Sequence, residues 1–490
     1  MFDLILKNGL IVDPLNGTNE VGDLAVKEGK IEMIGHDLSN AKEIEDCQGK
    51  LVMPGLIDAH MHFGSVYGSK HGARMTALAG VTTCLDMAGP LDEVLKTTKR
   101  SGAGITFGIV DRYDPNSMHG TASPSDKQIT DWTHSHTEGG ALGVKLVGGH
   151  WPLDPATCHK VIELCNEENL YVAWHAGSTN NKSDILGMRE AVEVADGMRL
   201  HLAHINSYCR GRVRSAQSEA DEAIELLKTN PKLWSEAYLS PLNGTHLSCN
   251  ENGEALDYVT KVCLELFRLP ATADGIRQAF RKGILATLHD NGYVTEAVYG
   301  AAAEKLWEDA GTTNVVGCFP VNSAVSRLML ASAKREDGSF VVDAFSTDGG
   351  CIPRNVIIPM GLALVKFGAL TLSEFVAKAS LNTARHLRLF DRGHFTPGAV
   401  ADVTVVDMDK GEAVSSFRDG KLNMKDGKLY PTPVRIITTS RGEKAIREAG
   451  YEPIVIDLST PEPERVNRFY SLNLRLRTDS KANGAFESGA

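Results

Sequence analysis

The alternation of apolar and polar residues divides the chain into a short β region, a long region of alternating elements and a second β region. Residues 2–53 carry brief strand-like runs, such as LILKNGLIV, that are separated by Asn-Gly and Glu-Gly turn signals. After residue 55, apolar strands are followed by helical stretches. The eight strand candidates are LIDAHMH, GVTTCLDM, GITFGIV, GALGVKLVGG, LYVAWHAG, MRLHLAHIN, KLWSEAYLSP and VVDAFSTDGG. Strands that alternate with helices favour parallel pairing, and eight of them predict an α/β fold of the (β/α)8 TIM-barrel type.

One gap between the predicted barrel strands is much longer than the others. Tyr238 ends the seventh strand, and Asp348 follows the eighth 110 positions later. We therefore assign residues 56–394 to the barrel and place an insertion at about 240–340, with a helical stretch near 255–310. Long excursions at the loop end of a barrel form lids or pocket walls, and an interface or a peripheral extension is the alternative.

The region after the barrel returns to turn-rich β character, as in FTPGAVADVTVVDMDKGEAVSSF. We expect residues 1–55 and 395–440 to pair into one small composite β-sandwich. Residues 441–490 form a C-terminal extension in this scheme. Its polar end, SKANGAFESGA, is expected to be disordered or ordered only in an oligomer.

Composition and charge narrow the class of protein. With 490 residues, of which 42% are hydrophobic and 23% charged, the chain has a globular balance and exceeds one ordinary core. Its net charge of −11 argues against a nucleic-acid partner, which would favour a basic surface. The sequence predicts neither a membrane span nor a signal peptide. Nine cysteines without a CxxC pair indicate reduced thiols and therefore a cytoplasmic protein. We also expect a homo-oligomer with a small-molecule substrate.

Polar residues end five of the predicted strands, and the carboxyl ends of the strands carry the active site in a parallel barrel. His60 and His62 close the first strand, where residues two apart project from the same face. The other strand-end residues are Lys145, His175, His204 and Asp348. Each has an ordinary alternative role, such as packing or helix capping, but together they bring four imidazoles, an amine and a carboxylate to one barrel mouth.

These side chains suit divalent metal ions. Imidazole and carboxylate ligands bind zinc and similar ions. The amine of Lys145 is different, because a free lysine is cationic at neutral pH and is repelled by metal ions. Carbamylation by carbon dioxide would turn Lys145 into an anionic ligand whose two oxygens can bridge two ions.

The motifs resemble those of the amidohydrolase superfamily, specifically its two-metal members with a carbamylated lysine, such as hydantoinase, dihydroorotase and urease. The resemblance rests on HxH after PGLID, on the lysine strand GALGVKLVGGHW, on the histidines of strands five and six and on the aspartate of strand eight. The later segments NTAR and TPGAVADVTVVD are similar to the superfamily's return from barrel to sandwich. The resemblance covers about residues 1–430.

The resemblance implies a binuclear centre with two divalent ions, for which zinc is expected. His60 and His62 would hold one ion, and His175 and His204 would hold the other. Carbamylated Lys145 would bridge the two.

Asp348 is implied to have two roles, as a ligand of the first ion and as the catalytic proton acceptor. A metal-bridged hydroxide would attack the amide carbon, and Asp348 would pass the proton to the leaving nitrogen. The variant Asp348→Asn is therefore expected to keep the fold and much of the metal and to lose kcat.

Two features of the sequence depart from a simple match. N-acyl-D-amino-acid deacylases resemble this layout and have a cysteine at the position of Cys84, but they use a carboxylate bridge where this chain has Lys145. We therefore interpret Cys84 as a buried packing residue. The second HxH pair, His134 and His136, lies in a polar helical stretch before the fourth strand, and we interpret it as solvated surface.

The predicted activity is hydrolysis of a C–N amide bond, with a hydantoin, dihydropyrimidine, lactam or imide as the cyclic amide. Alternatives are an N-acyl amino acid deacylase and an aminohydrolase of a heterocycle, which in this superfamily typically lacks the strand-four lysine. A non-catalytic scaffold is disfavoured because all six ligand types are present. Residues expected to contact the substrate are Arg210, Arg212, Asn243 and Arg354, because arginine binds carboxylates in a bidentate way.

Overall fold

A computed structural model describes residues 1–63, 70–101, 103–312 and 315–462 of the chain. It begins with a set of strands whose inward faces are buried, as the alternating pattern of the first region predicts. These strands are β1 (Phe2–Asp13), β2 (Thr18–Lys27), β3 (Lys30–Gly35), β4 (Ala41–Asp46) and β5 (Leu51–Pro54). β1 pairs antiparallel with β2 and parallel with β4 and β5.

The next region alternates strands and helices, and consecutive strands pair in parallel. The strands are β6 (Leu56–His62), β7 (Val81–Asp86), β8 (Thr106–Arg112), β9 (Gly143–Val147), β10 (Tyr171–His175), β11 (Leu200–Leu202) and β12 (Leu233–Tyr238). The helices are α1 (Gly72–Leu78), α2 (Leu91–Ser101), α3 (Pro115–His119), α4 (Asp126–Gly139), α5 (Pro155–Glu167), α6 (Ile185–Ala195) and α7 (Ala216–Thr229). β7, β9 and β12 are buried along their whole length, because helices cover one side of the sheet and the barrel interior lies on the other.

The insertion after β12 forms a compact unit with its own antiparallel sheet, in the order β13-β16-β14-β15. Its elements are β13 (Asn243–His246), α8 (Tyr258–Leu266), α9 (Ala273–Arg281), β14 (Ala286–Asp290), β15 (Thr295–Tyr299), α10 (Gly300–Asp309), β16 (Val316–Phe319) and α11 (Ala324–Ser332). Phe280, Trp307 and Phe319 are fully buried in its separate hydrophobic core. The sequence predicted the helical part of this unit but not the sheet.

Two short strands, β17 (Ala344–Ser346) and β18 (Gly349–Gly350), close the barrel. β17 pairs in parallel with β12, and β18 pairs in parallel with β6, where Gly349 lies opposite Met61. The predicted (β/α)8 barrel is therefore confirmed. The helical elements that follow are α12 (Ile357–Lys366), α13 (Leu372–Val376), a π-helical turn (Ala377–Leu381) and α14 (Asn382–His386).

The strands that follow the barrel join the N-terminal strands in one nine-stranded sheet. They are β19 (Val403–Asp407), β20 (Glu412–Arg418), β21 (Lys421–Lys425) and β22 (Lys428–Leu429). β19 pairs antiparallel with β5, and Val403 lies opposite Pro54. Both ends of the predicted barrel region are thus attached to the same sheet.

The last described segment returns to the barrel. It consists of β23 (Arg435–Thr438), α15 (Glu443–Glu448) and β24 (Glu452–Val455). β23 pairs in parallel with β8 of the barrel, so the expected boundary at residue 440 differs from the structure, where the chain leaves the small sheet a few residues earlier. The predicted disordered tail lies outside the described residues. None of the described helices has the length and hydropathy that a membrane crossing requires.

Candidate metal centre

Six strand-end residues singled out in the sequence surround one cavity at the carboxyl end of the barrel strands. The cavity has a volume of about 890 Å³, including its open mouth. The residues are His60 and His62 of β6, Lys145 of β9, His175 of β10, His204 after β11 and Asp348 between β17 and β18. The barrel topology brings them together, because parallel strands end on the same side.

The donor atoms of these residues lie within the reach of a metal ion. His60, His204 and Asp348 each offer one ligand atom, and these atoms are within 4.8 Å of one another. Oδ1 of Asp348 lies 2.9 Å from Nε2 of His62 and 3.6 Å from Nε2 of His60. The ring of His175 contacts the ring of His204 edge-on, with 4.4 Å between centroids. The site therefore contains a continuous group of imidazole and carboxylate donors.

The backbone at two of these residues is strained. His204 has a φ of 35° and Asp348 a φ of 47°, in the left-handed region that residues other than glycine rarely adopt. The surrounding bonds hold this geometry, since the amide of Asp348 donates to the carbonyl of His60 at 2.8 Å. Strained backbone of this kind is concentrated at functional sites.

A glycine makes room for His175 at the wall of the cavity. A Cβ atom on Gly149 would lie 2.4 Å from Nε2 of His175. The same Nε2 is 2.7 Å from the hydroxyl of Ser183. The GG dipeptide after β9 thus lets the loop approach the imidazole closely.

Three imidazoles of the site, those of His60, His175 and His204, are kept neutral. Burial, with a contribution from the charge of Lys145, lowers the pKa of His60 to about 4. Burial also lowers the pKa of His175 and of His204 well below the usual value. A neutral imidazole has a free lone pair, which is the form that binds metal ions.

Lys145 is the most unusual member of the group. Its side chain is 2% exposed, and its Nζ makes no hydrogen bond to any residue that the structure describes. Burial lowers its pKa to about 8. Buried polar atoms almost always have a partner, so an unpartnered amine among imidazoles fits a position where a further group is added or bound. The donor set and this orphaned amine both fit a metal centre.

Comparison with known proteins identifies the family. The family model described as the amidohydrolase family matches residues 51–220 and 250–430. This chain belongs to the amidohydrolase family. The match runs from β5 into the first turn of α7 and then from α8 to β22, and therefore includes the six residues described above.

Individual relatives resemble this amidohydrolase over different lengths. An allantoinase of Escherichia coli O1:K1 is 41% identical over 112 residues, which is 22% of this chain and 24% of the allantoinase. The match thus spans about a quarter of that relative.

Two solved structures cover most of the chain and show the same fold. The N-acyl-D-glutamate deacylase of Bordetella bronchiseptica, complexed with zinc and a phosphonate inhibitor, has a TM-score of 0.62 at 16% identity and covers 88% of this chain and 99% of its own. A D-hydantoinase has a TM-score of 0.58 at 17% identity, with 89% and 98% covered.

Arg354 of this amidohydrolase pairs with Asp348 and is absent from the residues that line the cavity. Its buried Nη2 lies 2.7 Å from Oδ2 of Asp348 and also donates to the carbonyl oxygen of Asp348. Burial on its own raises the pKa of Asp348, but the charge of Arg354 and the hydrogen bond of His62 outweigh it and hold the pKa well below its usual range. The guanidinium of Arg354 is directed at Asp348, and a contact between Arg354 and the substrate stays a prediction.

The other three predicted substrate residues line the cavity. Arg210 is held by neutral groups, with Nη2 at 2.9 Å from both the hydroxyl of Tyr238 and Oδ1 of Asn243. Arg212 donates to the carbonyl oxygen of Ser183 and to the hydroxyl of Tyr258, both at 3.2 Å. Neither arginine forms an ion pair with a carboxylate among the described residues. Arg210 and Asn243 therefore orient each other, and the charge of Arg212 is available at the cavity wall.

An apolar wall of the cavity comes from the insertion. Tyr258, Val259, Val262 and Leu266 of α8 line the cavity. The insertion therefore contributes a pocket wall, which was one of the two alternatives for it. The sequence did not identify these residues, because a short amphipathic helix gives no sign of what it packs against.

Two buried polar residues of the barrel strands were also missed. Glu236 of β12 is fully buried, and its Oε1 lies 2.7 Å from Nδ1 of His60. His201 of β11 lies behind it, with Nε2 at 3.4 Å from the same oxygen. The signal was present as an acidic residue inside the buried strand LWSEAY and as a second histidine in LHLAH.

The remaining motifs have structural roles. Cys84 is fully buried in β7, and burial raises the pKa of its thiol well above the usual value, as a packing role requires. The interpretation of His136 as solvated surface is wrong. Its Nδ1 lies 2.6 Å from Oδ2 of buried Asp111, and its ring stacks on Trp132, because this face of α4 packs against the barrel.

Proposed function

We propose that this amidohydrolase is a metal-dependent hydrolase of a C–N amide bond, with a cyclic amide of the hydantoin, dihydropyrimidine, lactam or imide type as its substrate. The observation that carries the proposal is Lys145, a buried amine without a partner in the described structure, beside neutral imidazoles. Burial keeps part of this amine uncharged near pH 8, and only the uncharged amine reacts with carbon dioxide. The relatives named allantoinase and D-hydantoinase support the same class of substrate.

Five side chains and a carbamate would hold two divalent ions, most simply zinc. His60, His62 and Asp348 would bind one ion, His175 and His204 the other, and carbamylated Lys145 both. Such ions lower the pKa of water and polarise a carbonyl oxygen when they are bound.

Asp348 is the group that would move the proton. Its Oδ2 is occupied by Arg354, whereas Oδ1 lies on the side of His60 and His62. Oδ1 is therefore the oxygen that accepts a proton from the attacking water and returns it to the leaving nitrogen. The pairing with Arg354 fixes which oxygen faces the reaction.

The walls of the cavity define the rest of the substrate. Among the described residues Arg212 contacts only neutral acceptors, so a negatively charged group on the substrate can pair with it. Val259 and Val262 present apolar surface on the same side of the cavity and favour an apolar substituent. Once a substrate fills this space, little water remains around the reacting bond.

The test combines a metal analysis with an activity screen. Lys145→Ala should lose bound metal and activity together, and short carboxylic acids such as acetate or propionate should partly restore both by replacing the carbamate. Lys182→Ala, which alters an exposed lysine next to the cavity residue Ser183, is the matched control and should keep both. The screen compares hydantoins, dihydropyrimidines, lactams, imides and N-acyl amino acids. Full metal content in Lys145→Ala, or release of ammonia from amino-substituted heterocycles alone, would contradict the proposal.

A further inference from the structure

The interior of the barrel contains a row of polar side chains below the candidate metal centre. A (β/α)8 barrel is usually filled by branched apolar side chains. Here Glu236 of β12, His201 of β11 and Tyr171 of β10 are all buried in its interior. A buried polar group destabilises the folded state unless it is hydrogen-bonded, so a row of buried polar side chains carries a large desolvation penalty.

The upper end of this row of polar side chains is Glu236, which contacts residues of three other strands or their ends. Its Oε1 lies 2.7 Å from Nδ1 of His60 and 2.6 Å from the backbone nitrogen of His204. Its Oε2 accepts a hydrogen bond from the hydroxyl of Ser346. One carboxylate therefore connects the ends of β6, β11 and β17, which carry or precede four of the proposed metal ligands.

The contact with His60 also decides where the proton of that imidazole lies. A carboxylate oxygen accepts hydrogen bonds, so Nδ1 of His60 carries the proton and Nε2 carries the lone pair. Nε2 is the atom on the side of Asp348, 3.6 Å from its Oδ1. The bond to Glu236 thus selects the form of His60 that can bind a metal ion at the cavity.

The lower end of this row of polar side chains reaches the opposite end of the barrel. Nε2 of His201 lies 3.4 Å from Oε1 of Glu236, an electrostatic contact without hydrogen-bond geometry. Nδ1 of His201 lies 2.8 Å from the hydroxyl of Tyr171. That hydroxyl is 3.0 Å from Nε2 of His386, whose Nδ1 is 3.1 Å from Glu462. Tyr171 is the first residue of β10, whereas the cavity lies at the carboxyl ends of the strands. The lower part of the row of polar side chains is therefore remote from the cavity.

We propose that Glu236 is a positioning residue of the metal centre and that Tyr171 supports it from the far end of the barrel through His201. This inference rests on the proposed metal centre. Glu236 orients the ring of His60 and fixes the backbone of His204, because both of its carboxylate oxygens are engaged by His60, His204 and Ser346. Loss of its charge should therefore weaken metal binding, and loss of the Tyr171 hydroxyl should do so to a smaller extent.

The experiment measures cobalt binding, which does not depend on catalytic turnover. Metal-free protein in bicarbonate buffer is titrated with Co²⁺ against a chelator, and the visible absorption of the bound ion is recorded. Glu236→Gln keeps the size and one acceptor oxygen but removes the charge, and Tyr171→Phe removes one hydroxyl. The control is Tyr113→Phe, since the Tyr113 side chain is 1% exposed and its hydroxyl has no hydrogen-bond partner among the described residues.

The expected result is a graded loss. Cobalt affinity should fall about 10- to 100-fold in Glu236→Gln, with a shifted absorption spectrum. It should fall by a smaller factor in Tyr171→Phe and stay unchanged in Tyr113→Phe. A thermal unfolding curve of each variant shows that the barrel is folded.

Three outcomes overturn the inference, and the last of them also overturns the proposed metal centre. If the wild-type protein binds cobalt and folded Glu236→Gln binds it equally well with the same spectrum, Glu236 has only a packing role while the metal centre stands. If Glu236→Gln does not fold, unchanged cobalt affinity in Tyr171→Phe and Ser346→Ala leads to the same conclusion. If the wild-type protein binds no cobalt, the proposed metal centre itself fails.

Discussion

At the scale of single residues, the charge of Asp348 is balanced by a buried arginine. The side chain of Arg354 is 1% exposed and lies over the ring of Tyr238 with its Nη2 on Asp348. A charge in such a place is stable only while its partner is present. Asp348 therefore has a structural role beside the proton transfer that the resemblance implies.

Because Asp348 pairs with Arg354, the variant Asp348→Asn should lose stability as well as turnover. Turnover should fall about 10²- to 10⁴-fold, because the amide cannot accept the proton. The free energy of unfolding should also fall by about 3 kcal/mol, because the guanidinium of Arg354 is left buried without a counter-charge. Urea unfolding measures the second effect.

A double variant separates the two effects of Asp348→Asn. In the background Arg354→Met the buried charge is already absent, so adding Asp348→Asn should cost much less stability than in the wild type. An equal cost in both backgrounds would show that the pair does not couple the two residues. The loss of turnover should persist in either background.

At the scale of elements, the π-helical turn Ala377–Leu381 places a lysine inside the protein. Nζ of Lys378 donates to the carbonyl of Val342 at 2.6 Å and lies over the rings of Phe340 and Phe345. Burial lowers the pKa of Lys378 from 10.5 to about 7. The turn thus holds a titratable group whose charge depends on pH in the neutral range.

The stability of the protein should depend on pH through Lys378. Because the pKa in the folded state is about 7 and the ordinary value is 10.5, the unfolded chain binds more protons between these limits. The contribution of Lys378 to the free energy of unfolding therefore increases as pH rises from 7 towards 10. Lys378→Met removes this dependence and keeps an unbranched side chain.

Urea midpoints at pH 7 and pH 9.5 measure the effect of Lys378. The wild-type protein should gain stability relative to Lys378→Met at the higher pH. The difference between the two proteins, rather than either midpoint, is the relevant quantity, since other groups titrate equally in both. A difference that does not change with pH would show that Lys378 is charged throughout.

At the scale of the whole molecule, the candidate ligands come from strands distributed around the entire barrel. β6, β9 and β10 supply three of the histidines and the lysine. The segment after β11 supplies His204, and the segment between β17 and β18 supplies Asp348. A site that uses all of these ligands is complete only in the folded barrel. Metal binding is therefore linked to the stability of the barrel.

Removal of metal should lower the unfolding temperature. The purified protein should contain close to two divalent ions per chain by elemental analysis, and chelation should lower the midpoint of thermal unfolding reversibly. The stabilisation is about 2.7 kcal/mol when free metal is 100 times its dissociation constant. Lys145→Ala should show a smaller response to added zinc. A midpoint that is the same with and without metal would argue against a centre that spans the barrel.

The elements of the barrel and the positions of the strand-end residues were predictable from the sequence alone. Both follow from local rules, because strand periodicity fixes which side chains share a face and parallel strands end on one side. His60 and His62 are identifiable from seven residues of sequence, and Lys145 from its place at the end of an apolar run. The family match over residues 51–220 and 250–430 agrees with these assignments.

The partners of these residues, in contrast, depend on the tertiary structure. Glu236 is 176 positions from His60, and Asp348 is 286 positions from His62, so their contacts depend on the closure of the barrel. The sequence around Arg354 does not distinguish it from a substrate-binding arginine. The tertiary structure places its guanidinium against Asp348. α8 becomes a cavity wall for the same reason, since periodicity shows that a helix has an apolar face but not what that face meets.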